Sequence, residues 1–203
     1  MTDWIEDIAA LEALYGTPGE ASLVKVADRL TPEYRAWIEA APFCALATLG
    51  PEGLDCSPRG DDGPVVQVVD ARTLALPDRS GNNRIDSLRN IVRDPKVSLM
   101  FLIPGSGTVI RVNGTAHVTA DAAWLDRCKI HDKPPRSVIV ITIDEIYFQC
   151  ARAVLRGKLW SGGIADPDTL PSVGQILEAM SQAKIDGESY DADWPGRAAQ
   201  TMW

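Results

Sequence analysis

Short runs of apolar and β-branched residues, separated by glycine and proline, most constrain the fold of this chain. Residues 138–147 read VIVITIDEIY, with a β-branched side chain at nearly every step, and such residues favour strands. Similar runs lie at residues 43–49, 54–56, 65–69, 73–76, 97–103 and 109–119. Most of these runs are paired across short turn signals, which predicts hairpins and an antiparallel barrel or sandwich.

Helical spacing of apolar residues predicts helices around and between these strands. They lie at residues 3–15, from residue 31 to about 40, between residues 83 and 95, around 121–129 and at 173–183. Thr31 is the predicted N-cap of the second helix, with Pro32 at its first position. Beyond residue 183 we expect a polar tail that holds Trp194 and Trp203. The chain then divides into an N-terminal helical extension (1–42), a barrel (43–160) and a C-terminal extension (161–203).

Charge and composition exclude several classes of protein. Twenty Lys and Arg against 28 Asp and Glu give a net charge of −8, which argues against general nucleic-acid binding. No apolar run approaches the roughly 20 residues that a membrane span needs. The first 14 residues contain four acidic side chains and no basic region, so we expect no signal peptide, a cytoplasmic protein and reduced thiols.

The sequence gives little indication of a metal site or of a reactive cysteine. The four cysteines form no CxxC pair and there are only two histidines, so no metal site is expected. Cys44 and Cys150 each lie beside apolar strand residues, and we expect both to be small core side chains.

The first candidate binding segment is residues 55–61, DCSPRGD. It follows a predicted strand and is expected to begin a turn. Ser57 and Arg59 are hydrogen-bond donors, and Gly60 allows backbone N–H groups to approach a ligand. An ordinary solvated turn is the alternative, because Ser-Pro and Gly-Asp are common in turns.

The second candidate segment is residues 77–84, PDRSGNNR, between a predicted strand and a predicted helix. Arg79 and Arg84 flank a glycine and two amides, Asn82 and Asn83. The start of a helix carries about half a positive charge and unpaired N–H groups. Arginines there oppose the helix dipole, so we expect an anion such as phosphate to compensate. The alternative is that Asn82 or Asn83 simply caps the helix.

Two further basic regions follow later in the chain: a patch with two arginines and a single arginine on a strand. Arg152 and Arg156 are one helical turn apart and share a face, and Trp160 offers a planar apolar surface nearby. This patch fits a small anionic ligand or a subunit contact, and a solvated helical turn is an equal alternative. Arg111 lies on the polar face of a predicted strand, a face that meets water, a ligand or another subunit.

Together these segments resemble a known family. In chain order they are residues 55–61, 77–84, 111–116, 147–152 and Trp160. They are similar to the pyridoxamine 5′-phosphate oxidase-like, FMN-binding split-barrel proteins. In particular they resemble a bacterial subgroup with Ser-Pro-Arg-Gly-Asp and Arg-x-Gly-Asn-x-Arg segments, and the resemblance covers about residues 30–160. It implies a mainly β (α+β) fold, a six-stranded antiparallel Greek-key split β-barrel with flanking helices.

The resemblance also implies a homodimer with FMN in the groove between subunits. Arginines and small polar groups would hold the FMN phosphate, Arg111 would face the flavin groove, and the segment around Arg152 would reach across the dimer interface. The implied cofactor-binding residues are Ser57, Arg59, Arg79, Asn82, Asn83, Arg84, Arg111, Arg152, Arg156 and Trp160. The chain lacks the terminal Arg-Leu-x-Pro of pyridoxamine phosphate oxidases, so we expect a different small-molecule substrate.

Two main functions therefore remain open at this point. One is an FMN-dependent oxidoreductase that acts on an unidentified small molecule, with the flavin carrying the redox chemistry. The alternative is a non-catalytic protein that binds or carries flavin, deazaflavin or haem. A regulator with an empty barrel is a third possibility. No catalytic residue can be identified, and there is no GxGxxG fingerprint for a nicotinamide cofactor.

Overall fold

A computed structural model describes residues 4–162, 166 and 169–201 of the chain. Its strands are β1 (Phe43–Gly50), β2 (Gly53–Gly60), β3 (Gln67–Val68), β4 (Thr73–Asp78), β5 (Lys96–Leu102), β6 (Val109–Thr119) and β7 (Ser137–Gln149). Its helices are α1 (Ile8–Tyr15), α2 (Glu20–Val24), α3 (Pro32–Glu39), α4 (Asp86–Arg93), α5 (Ala122–Arg127), α6 (Arg152–Arg156), α7 (Val173–Met180) and α8 (Gly187–Thr201).

The strands form one sheet in the order β2-β1-β5-β6-β7-β4-β3, and every neighbouring pair is antiparallel. This confirms the mainly β, split-barrel class predicted from the sequence. The sheet has seven strands rather than six, because the two residues of β3 pair with β4. Backbone hydrogen bonds leave β2 and β3 as the two edges of the sheet.

A single large core lies against one face of this sheet. Leu46 of β1, Leu99 of β5 and Leu76 of β4 all belong to it, although β4 is far from β1 in the sheet. The sheet therefore curls around the core. Ile38 of α3 and Ile91 of α4 complete the cluster, since each is the buried apolar residue of its helix.

Residue alternation explains which side chains reach this core. Along β6 the even-numbered residues from 110 to 116 are buried, while Arg111, Asn113 and Thr115 are half-buried on the other face. This is the two-residue period of a strand, as predicted. Gly114 lies so close to β7 that a Cβ there would be 2.1 Å from the carbonyl oxygen of Thr142.

The start of α3 agrees with the sequence analysis. Thr31 caps it by accepting a hydrogen bond from the Tyr34 N–H at 3.3 Å. Asp121 caps α5 through the Ala123 N–H at 3.0 Å. The first helix begins later than predicted, after its cap Asp7. The described part of the chain contains no helix that is long and apolar enough to cross a membrane.

The prediction of a polar tail after residue 183 was wrong. Residues 187–201 form α8, which pairs with α7, and Trp194 lies within it. The mixed composition of this segment hid the helix, because Gly187, Pro195 and Gly196 are poor helix formers. Trp203 lies outside the described residues.

Candidate functional site

A groove of about 1240 Å³ lies where the end of β2 meets the end of β4 and the start of α4. Residues from the first and second candidate segments line it together. The six predicted site residues that it contains are Ser57, Arg59, Arg79, Asn82, Asn83 and Arg84. The two loop motifs identified in the sequence therefore form one site.

Two ion pairs hold the β2 and β4 sides of this groove together. Arg59 pairs with Asp78, and both side chains are 17% exposed. Arg79 pairs with Asp61, with both guanidinium contacts to one carboxylate oxygen, at 2.7 and 3.0 Å. Arg79 also donates to the carbonyl oxygen of Cys128 at 2.8 Å. Carboxylates and a carbonyl thus fix the orientation of both guanidinium groups before any ligand is bound.

The local structure of the first segment differs from the prediction. Ser57, Pro58 and Arg59 lie inside β2, not in a turn, and pair with residues of β1. Asp55, Ser57 and Arg59 are half-buried and alternate with exposed neighbours. This polar alternation was the available signal for a strand, and the proline masked it because Pro is uncommon within strands. Pro58 is accepted here because β2 is an edge strand.

The second segment forms the loop that leads into α4. Ile85 is the N-cap of α4 and makes no side-chain capping hydrogen bond. Asn82 instead accepts the Arg84 N–H at 3.0 Å, and Asn83, at φ 61°, accepts from Arg136 Nη1 at 2.5 Å. The alternative that an asparagine caps this helix is therefore wrong, and the start of α4 borders the groove without a side-chain cap.

The groove is electropositive in a protein of net charge −8. Five arginines and three aspartates line it. Among the described residues the buried Nε of Arg59 has no hydrogen-bond partner, although a buried donor left unpaired costs about 1–3 kcal/mol. An anionic group with acceptor oxygens would match both the excess of positive charge and the unpaired donor. The donor set therefore fits a phosphate.

The groove also includes residues outside the two predicted segments. Among them, Arg136, Trp194 and Arg197 are the cationic and aromatic side chains. Arg136 directly precedes β7, whose first residue pairs with Asp78, so only the strand register brings it to the site. Trp194 and Arg197 come from α8, and no pattern near them in the sequence indicates a groove more than a hundred residues earlier.

The structure does not bring the other four predicted residues to this groove in the single chain. Arg111 lies on the outer sheet face, 5.2 Å from the centre of the Tyr147 ring. Trp160 donates from Nε1 to the carbonyl oxygen of Ser106 at 2.6 Å. Arg152 and Arg156 are exposed on the five-residue helix α6. The β5–β6 turn and the segment after β7 thus form a separate region.

The cysteines divide into two buried and two exposed thiols. Cys44 is a core residue, as predicted, and burial raises its pKa to about 12. Burial also raises the pKa of Cys128, which packs beneath α5. Cys150 is exposed, so its predicted place in the core was wrong. It follows the end of β7, beyond the part of the strand that faces the core. Cys56 is exposed as well.

These features define a class of protein: an antiparallel split barrel with a phosphate-compatible groove at the open seam of its sheet. The family model described as Pyridoxamine 5′-phosphate oxidase matches residues 30–150, more than half of the chain. The chain belongs to the pyridoxamine 5′-phosphate oxidase family, whose members are flavin-binding oxidoreductases.

Comparison with solved structures gives distant matches. HupZ from Group A Streptococcus is 20% identical, and the match covers 68% of this chain and 99% of that chain with a TM-score of 0.47. An FMN-binding protein from Syntrophomonas wolfei is 14% identical over 70% and 95% of the two chains, with a TM-score of 0.44. A structure described as F420 reductase is 19% identical over 59% and 98%, with a TM-score of 0.42. No curated protein matches the sequence.

Proposed function

We propose that this protein is an FMN-dependent oxidoreductase that acts on a small molecule. The observation that supports FMN most directly is the unpaired, buried Nε of Arg59 in a groove with more arginines than aspartates. Because a doubly charged phosphate would satisfy this donor and the excess charge, the groove suits the headgroup of FMN better than the neutral end of riboflavin. Family membership supports the same cofactor class.

The phosphate-binding groups in this proposal come from three elements. Ser57 and Arg59 belong to β2, and Arg84 precedes α4, whose first N–H groups favour an anion. Arg84 is 77% exposed, and within the described part of the chain its ion pair is with its neighbour Asp86, at 2.9 Å, so it is able to turn towards a ligand at little cost. When bound, FMN supplies the hydride chemistry. The arginines bind and orient it.

A homodimer completes the proposal. Four predicted residues lie away from the groove of their own chain, on the outer sheet face or after β7. On that outer face the strand register places Met100 beside Arg111, and Met100 is 42% exposed. Met and Arg are both enriched at subunit interfaces relative to the rest of the protein surface. A second copy packed on this face would bring Arg111 and the α6 region towards a shared site.

The absorbance spectrum of the purified protein tests the cofactor. We expect a flavin spectrum, either as isolated or after addition of FMN, and mass spectrometry of the released chromophore distinguishes FMN from a deazaflavin. A colourless protein that does not bind added FMN would contradict the proposal. Arg59→Lys serves as a matched variant, because it keeps the charge and removes the guanidinium.

Anaerobic reduction with NADH or NADPH tests the enzymatic part. Bleaching of the flavin absorbance followed by reoxidation with an acceptor is expected of an oxidoreductase. A bound flavin that no donor reduces would instead indicate the alternative function, a carrier. That outcome would leave the cofactor proposal intact and overturn the enzymatic one.

A further inference from the structure

The C-terminal helix α8 contributes side chains to the proposed flavin groove although it lies outside the part of the chain that matches the family. Trp194, Arg197 and Ala198 line the groove together with the loop that precedes α4. The family match ends at residue 150. This wall of the groove is therefore a feature of this chain's own C-terminal segment.

Direct contacts fix α8 and its neighbour α7 relative to each other. Asp191 of α8 accepts hydrogen bonds from the Ser172 hydroxyl and from the Gly174 N–H, the latter at 2.8 Å. Gly174 and Gly187 also touch through their backbones, since a Cβ on Gly174 would lie 2.0 Å from the Gly187 carbonyl oxygen. Glycine at both positions permits this close approach.

Contacts within α8 orient the Arg197 side chain at the edge of the groove. The Arg197 guanidinium lies 4.1 Å from the centre of the Tyr190 ring and 5.9 Å from that of Trp194, and it donates to the Tyr190 carbonyl oxygen at 3.0 Å. Trp194 is 57% exposed. A large aromatic side chain left exposed in a ligand groove is able to bury its face against a planar ligand.

We propose that Trp194 stacks against the ring system of the bound flavin, and that this side chain therefore determines affinity through the ring and not through the phosphate. This inference rests on the proposed function. The phosphate-binding groups proposed above come from β2 and the start of α4, whereas Trp194 adds an aromatic surface from α8, so the two parts of the site recognise two parts of one ligand.

Titration of each variant with FMN and with riboflavin separates the two parts of the site. We expect Trp194→Ala to weaken the binding of both flavins by about five- to tenfold, which is the loss of affinity typical of one aromatic stacking contact. The ratio of the two affinities should not change. Arg84→Ala should weaken the binding of FMN but not of riboflavin, because riboflavin has no phosphate. Trp194→Phe should restore most of the affinity for both flavins.

Met180→Ala is the matched control, since Met180 is a 78% exposed residue of α7 that does not line the groove. It should leave both affinities unchanged. If Trp194→Ala changes neither affinity while Arg84→Ala weakens FMN, the inference about α8 is wrong and the proposed function stands. The inference would also be overturned if Trp194→Ala lowered the affinity for FMN and left the affinity for riboflavin unchanged. If wild-type protein binds no flavin, the proposed function itself fails.

Discussion

Arg59 of β2 forms an ion pair with Asp78 of β4, although four strands separate β2 from β4 in the sheet. The pair crosses the seam that backbone hydrogen bonds leave open. Asp61 and Arg79 repeat the contact with the charges reversed. Both pairs also lie in the wall of the proposed flavin groove. The contacts that close the curled sheet therefore also position the cationic groups of the site.

We expect Asp78→Asn to lower the free energy of unfolding by about 1–3 kcal/mol, since it leaves the mostly buried Arg59 without its charged partner. Urea unfolding followed by circular dichroism measures this change. Asp62→Asn is the control, because Asp62 lines the same groove but is exposed, and its effect should stay within about 0.5 kcal/mol. Equal midpoints for the two variants would show that the seam pair contributes nothing.

Arg84→Ala should weaken FMN binding by at least about tenfold, because a charged hydrogen bond to phosphate is worth roughly 1.5–3 kcal/mol. Arg156→Ala should weaken it less, since Arg156 does not line the groove of its own chain. Fluorescence titration of the two apo proteins gives both dissociation constants. Equal retention of flavin in the two variants would contradict this ranking and the assignment of the phosphate end.

Thiol modification should distinguish the two kinds of cysteine. At pH 8 we expect two thiols per chain, Cys56 and Cys150, to react quickly with a disulfide reagent. Cys44 and Cys128 should react only after denaturation, because burial blocks access and the pKa of Cys44, about 12, leaves almost no thiolate. A Cys56→Ser/Cys150→Ser double variant should lose the rapid phase. Peptide mapping that finds native-state modification of Cys44 would contradict the described core.

Gly114→Ala should destabilise the barrel by at least about 2 kcal/mol, since the added methyl group meets the Thr142 carbonyl oxygen and forces β6 from β7. Gly196→Ala is the control, because a Cβ at that helical position would meet no atom of the described residues within 4 Å, apart from its chain neighbours and the backbone of its own helix. That variant should gain about 0.5–1 kcal/mol. Thermal unfolding of both proteins measures the difference, and a tolerated Gly114→Ala would disprove the close approach.

Met100→Glu tests the proposed homodimer. A carboxylate on the outer sheet face beside Arg111 should weaken self-association by at least about tenfold, since it would form an ion pair with Arg111 within one chain, and burying that pair at an interface carries a desolvation cost. Light scattering coupled to gel filtration measures the mass at several concentrations. Met180→Glu on α7 is the control and should remain a dimer. A wild-type protein that is monomeric throughout would overturn the dimer proposal.

Much of the strand pattern and part of the site were predictable because they depend on neighbours in the chain. Runs of β-branched residues between turn signals identified β7, and the Thr31-Pro32 pair marked the start of α3. The two arginine-bearing segments were recognisable because each combines donors, glycine and an element boundary within eight residues. Pro58 misled the prediction, since an edge strand tolerates a proline that a central strand would not.

The sequence by itself determined the strands, the capped helices and the two basic segments, because these follow from local propensity and from the two- and 3.6-residue periods. Only the tertiary structure decided which residues share the groove. The seam pairs Arg59–Asp78 and Asp61–Arg79, the position of Arg136 next to the start of β7, and the presence of Trp194 of α8 in the groove all join distant parts of the chain. Contacts of this kind depend on how the sheet curls around its core, and no local spacing of residues encodes that curvature.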